Sequence, residues 1–103
     1  MFPEKQQTVV VNADVPSALR AARQALAQCG WKVARMDSSC ILAETGMSFT
    51  SWGETITVQV KESGNITYLN VKSKLGWGVI DLGKNRKNID KFLATLRRLI
   101  SVG

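Results

Sequence analysis

The sequence predicts an α+β fold in the order β-α-β-β-β-β-α, an antiparallel sheet with its two helices on one face. Two segments, one early and one at the end, carry apolar residues at helical spacing. Between them run short stretches in which apolar and polar residues alternate, bounded by turn formers, the pattern of strands with one solvated face. Single-sided strands need a cover on one side only, so both helices belong on the same face. With 103 residues, 45% hydrophobic and 21% charged, the chain reads as a single domain, 1–103.

The elements follow in order. Thr8-Val9-Val10-Val11 is a β-branched run closed by Asn12-Ala13-Asp14, which predicts a strand over 7–13. Asp14 suits a helix N-cap, with Pro16 in the first turn where its missing N–H does no harm. Val15, Ala18, Leu19, Ala22, Ala25, Leu26 and Cys29 then share a helix face, opposite Arg20, Arg23, Gln24 and Gln28. Gly30 ends that helix, and its many alanines imply close approach to the layer it covers. Strands are expected over 31–36 and 40–45 around the turn Asp37-Ser38-Ser39, and over 55–61 and 67–73 around the hairpin Ser63-Gly64-Asn65. Ile89, Phe92, Leu93, Leu96, Leu99 and Ile100 mark a second amphipathic helix of about four turns. In this order the topology resembles the TATA-binding-protein-like and helix-grip folds, a resemblance that implies architecture and no function.

A meander reverses at each strand, so alternate connections share one end of the sheet. The connections 46–53 and 74–84 are therefore expected side by side. Both are unusually apolar for loops: the first carries Met47, Phe49 and Trp52, the second Leu75, Trp77, Val79, Ile80 and Leu82. They either fold inward and plug the open end of the core or form an adaptable contact patch, for which aromatic residues and Met are suited. Met47, Phe49, Trp52, Trp77 and Ile80 are the candidate ligand or partner contacts on the second reading. Lys84 and Arg86, at the start of the final helix, are the candidate anion contacts.

Several chemistries are excluded or disfavoured. Without His there is no Ser-His-Asp or Cys-His mechanism and no His-ligated zinc, and two Cys with eight scattered acids do not suggest a structural metal site. No cofactor is implied. The two Cys lie at opposite ends of a strand of about six residues, some 20 Å apart, and are expected to be free thiols. Glu44 and Glu54 flank one connection, a weak hint of carboxylate chemistry; the expectation is that the protein is not an enzyme. The opening residues Met1-Phe2-Pro3-Glu4-Lys5-Gln6-Gln7 lack the basic stretch and apolar run of a signal peptide, and no transmembrane segment is evident, so a cytoplasmic location is expected.

The formal charge of +6 resides in residues 72–103, where eight Lys and Arg meet two Asp. This basic loop and helix is either a solvated surface or a site for anions or nucleic acid, the alternative to apolar loop contacts. Gly78-Val79-Ile80-Asp81-Leu82-Gly83-Lys84-Asn85 approximates a phosphate loop, but Asn stands where Ser or Thr would hold magnesium. Three large apolar residues fill the loop, so nucleotide hydrolysis is not expected.

Asp81-Leu82-Gly83-Lys84-Asn85-Arg86-Lys87-Asn88-Ile89 resembles the D-[LF]-G-x-N-R-x-x-I entry to the terminal helix in a bacterial domain-of-unknown-function family, over about 30 residues from Val71 to Ile100. The resemblance implies a structural helix entry and no catalytic residue. The function expected is a non-catalytic binding module for a partner protein or a small amphipathic ligand.

Overall fold

Strand pairing in the computed structural model, which describes residues 4–46, 53–75 and 84–103 with the side chains of Leu75 and Lys84 apart, bears out the expected α+β architecture. The elements are β1 (Glu4–Val11), α1 (Val15–Gln28), β2 (Lys32–Met36), β3 (Cys40–Glu44), β4 (Glu54–Ser63), β5 (Ile66–Leu75) and α2 (Lys84–Leu96). The five strands form one sheet in the order β1-β5-β4-β3-β2, every neighbouring pair antiparallel. The last four strands are the expected meander. β1 adds to its β5 edge, which the linear order left open.

Strand parity decides which side chains enter the core. Val9 and Val11, Ile41 and Ala43, Ile56, Val58 and Val60, and Leu69 and Val71 point to the helical side and are buried. On α1 the buried residues are Ala18, Leu19, Ala21, Ala22, Ala25 and Leu26, so small side chains meet the sheet and the helix approaches closely. Ile89, Phe92, Leu93 and Leu96 do the same for α2, which lies over β5 and β1 while α1 lies over β2, β3 and β4.

The ends of α1 are as the residues dictate. Asp14 accepts from Ser17 N at 2.8 Å, and hydrogen bonding from the Ser17 side chain, followed by this backbone bond, holds its carboxyl below the ordinary 3.8. Gly30 (φ 81°) donates to Ala27 O, and Trp31 N donates to Leu26 O, a Schellman closure that needs a left-handed residue at Gly30.

Two boundaries differ from expectation for tertiary reasons. β1 begins three residues early because β5 supplies partners as far as Glu4↔Lys74, overriding the weak strand character of Glu4-Lys5-Gln6. α2 stops at Leu96 instead of continuing through Ile100. Leu99 N then donates to Leu96 O in a tight turn, and residues 101–103 run back along β1. Asn12 N donates to Ser101 O and Gly103 N to Val10 O, so the chain end covers part of the free edge of β1.

Both cysteines are free, as expected. Cys29 is buried, its Sγ 3.7 Å from Thr95 Oγ1. Cys40 is partly covered, and burial followed by the nearby Asp37 carboxylate pushes its thiol upward. In native protein near neutral pH, iodoacetamide is therefore expected to modify Cys40 slowly and Cys29 only on unfolding. Mass spectrometry of the time course checks the order, which rapid Cys29 modification would reverse.

Candidate functional site

Register places at one rim the strand ends from which the two apolar connections leave. Glu54 at the start of β4 pairs with Leu75 at the end of β5, and Glu44 at the end of β3 pairs with Thr55. The connection from β3 to β4 and the connection leaving β5 therefore arise on adjacent strands, which lie roughly 4.8 Å apart. The start of α2 stands at the same end, because Ser73 of β5 bonds Asn85 of α2. Met47, Phe49, Trp52, Trp77 and Ile80 themselves lie outside the described residues, as does the side chain of Lys84.

The base of the first connection is fixed from both sides. Thr45 N donates to Glu54 O at 2.9 Å, while Glu54 N donates to Thr45 Oγ1 at 2.7 Å. Gly53, just before β4, has φ +109°, and a Cβ there would lie 2.8 Å from Thr45 O. Only glycine enters this position without displacing backbone. Gly53→Ala is expected to destabilise the fold by about 1–3 kcal/mol; a urea midpoint unchanged from the wild type would contradict this.

Beneath the rim lies a polar cluster between the layers. Glu54 is 2% exposed, and Ser73 and Asn85 are fully buried. Ser73 Oγ donates to Asn85 Oδ1 at 2.8 Å, and Asn88 Nδ2 donates to Glu54 Oε1 at 2.8 Å and to Ser73 Oγ at 3.2 Å. Side chains from β4, β5 and α2 are thus joined where an apolar core would leave their positions less specified. Among the described residues no buried side-chain nitrogen or oxygen lacks a partner. The cluster fixes the first turn of α2 against the strand ends that carry both connections.

Arg86 sits on the exposed flank of α2. Its Nη2 donates to Gln7 Oε1 at 2.6 Å and to Asp90 Oδ1 at 2.9 Å, and its Nε donates to Asp90 Oδ1 at 3.2 Å. Much of the guanidinium is therefore committed to β1 and to its own helix. Lys91 is also engaged: its Nζ donates to Cys29 O at 3.1 Å and lies 5.7 Å from the Trp31 ring centroid. These contacts join α2 to the end of α1.

The basic final third does not form one stripe. Lys72 and Lys74 belong to the sheet face away from the helices, by their register with Thr57 and Thr55, whereas Arg86, Lys87, Arg97 and Arg98 are exposed on or just after α2. Nor do Glu44 and Glu54 converge. Glu44 is exposed on the sheet face away from the helices, while Glu54 is enclosed on the helical side, so the two carboxylates cannot act across one substrate. Among the described residues, no group of three or more His, Cys, Asp and Glu is placed to hold a metal, and no helix is long and apolar enough to cross a membrane.

Asn85 and Asn88 were the residues least legible in the sequence. Asn85 reads as a first-turn hydrogen-bonding residue, yet it is buried and accepts from Ser73 across the layers. Their spacing, with Asn85 and Ile89 four apart and both buried, was the available signal: the N-R-x-x-I entry turns one polar and one apolar side chain inward and leaves Arg86 outside. In comparison with known proteins, the chain matches no family model and no curated protein, so its functional reading rests on its own residues.

Proposed function

We propose that the protein is a non-catalytic binding module that engages a partner protein or a small amphipathic ligand through the rim where the connections 46–53 and 74–84 arise. The observation that carries this reading is the Glu54↔Leu75 pairing, which brings two apolar connections to adjacent strand ends. Met47, Phe49, Trp52, Trp77 and Ile80 supply the apolar contacts in this reading, and Lys84 and Arg86 receive an anionic group beside them. The Glu54-Ser73-Asn85-Asn88 cluster supports it by holding the base of the rim. The resemblance to the bacterial family of unknown function and to TATA-binding-protein-like or helix-grip folds concerns architecture alone and carries no function to this reading.

Anilinonaphthalene sulfonate, which joins an aromatic body to one anionic group, is a suitable probe. The expected result is saturable binding with energy transfer from tryptophan, weakly dependent on salt and lost in Phe49→Ser/Trp77→Ser at an unchanged melting temperature. Absence of binding, or equal binding by that variant, would remove the proposed contact surface.

A further inference from the structure

None of the described elements covers the sheet face opposite the helices, and the strand registers order its side chains in rows. One row is Val10, Tyr68 and Lys61; the next is Thr8, Asn70, Gln59 and Cys40; a third is Gln6, Lys72, Thr57, Leu42 and Arg35. These rows contain Lys61, Lys72 and Arg35 and no acid. Acids enter only in the row nearest the rim, where Glu4 and Glu44 accompany Lys74 and Lys32. Asp37, in the turn beside Arg35, is occupied with Ser39 N and Cys40 N.

A shallow depression of about 250 Å³ lies within this basic field, lined by Thr8, Gln59, Lys61, Tyr68 and Asn70. Asn70 Nδ2 donates to Thr8 Oγ1 at 2.8 Å and to Gln6 Oε1 at 3.4 Å, which fixes its carboxamide while its Oδ1 accepts from no described residue. One aromatic ring, two carboxamides and a lysine on a flat strand face match a stacked base with hydrogen-bonding edges and an adjoining phosphate. An anionic membrane surface would favour a wider apolar face with basic margins, and Tyr68 is the only aromatic residue in these rows.

We propose that this face is a docking surface for single-stranded nucleic acid, with Tyr68 as the stacking platform and Lys61, Lys72 and Arg35 on the phosphates. It lies on the side of the sheet away from α2 and is separate from the rim proposed above. The basic residues it uses come from both halves of the chain.

The test is fluorescence anisotropy of a labelled fifteen-nucleotide oligo(dT) and oligo(U) with the full chain. Binding is expected to weaken by roughly 20-fold between 50 and 200 mM salt, as about three phosphate contacts require. Lys61→Glu/Lys72→Glu is expected to abolish it, Tyr68→Ala to reduce it about 5- to 150-fold, and Tyr68→Phe to retain it. All three positions lie on the sheet exterior, and melting curves of each variant confirm folding. Should Tyr68→Ala disturb the fold, the lysine pair and Tyr68→Phe still decide. The proposal is overturned if neither oligonucleotide binds at 50 mM salt, or if the charge reversals leave binding unchanged. It is equally overturned if Tyr68→Ala is neutral while duplex binds as well as single strand, or if phosphatidylserine vesicles are bound and oligonucleotides are not.

Discussion

Phe92→Ala is expected to lower the stability of the domain by about 3–5 kcal/mol. Phe92 is fully buried and is the largest side chain enclosed in the core of the described residues. It projects from the middle of α2, whose seating on β5 and β1 depends on Ile89, Phe92, Leu93 and Leu96. Removing the ring leaves a cavity that rigid strands cannot fill, so the transfer term and the void add. For a domain of this size that is a fall in melting temperature of at least about 12 °C. Thermal unfolding followed by circular dichroism measures it, and a fall of a few degrees would mean that α2 contributes little to the core.

The second large effect is expected at Glu54. Glu54→Ala removes the acceptor of Asn88 Nδ2 in a site that is 2% exposed. One N–H of the half-buried Asn88 carboxamide then loses its partner while the bond to Ser73 Oγ remains, a loss of about 1–3 kcal/mol, and the vacated volume adds to this. Glu54→Gln is expected to be milder, because its carboxamide oxygen still accepts from Asn88. The cluster also predicts non-additivity: Asn88→Ala should lose less in the Glu54→Ala background than in the wild type, by roughly 0.5–3 kcal/mol. Denaturant titrations of the four proteins test this, and strictly additive losses would show that Glu54 and Asn88 act independently.

Much of the fold was legible because its periodicities are clean. Ile56, Val58 and Val60 alternate with Thr57 and Gln59, and the alternation alone fixes which face of β4 is buried. Asp14, Pro16 and Gly30 mark the ends of α1 through capping chemistry that depends on near neighbours. Features set by distant partners were less visible. The start of β1 depends on β5, and the end of α2 depends on the return of residues 101–103 to the edge of β1. The rim followed from strand direction, which the Glu54↔Leu75 register bears out. The polar cluster beneath it did not, because Ser73, Asn85 and Asn88 have ordinary local roles and acquire their contacts only when β5 and α2 pack. The basic sheet face away from the helices was also obscured: a count along the chain concentrates charge at its end, whereas the sheet sets Lys61 and Arg35 on the same face as Lys72.

Tryptophan emission with acrylamide quenching tests the proposed rim surface most directly. Trp31 is partly buried against the core with Lys91 over its ring, and it supplies the baseline in Trp52→Phe/Trp77→Phe. The account predicts that the native protein shows a red-shifted, readily quenched component that disappears in this double variant. Blue-shifted emission in the native protein, resistant to quencher at all three indoles, would contradict it.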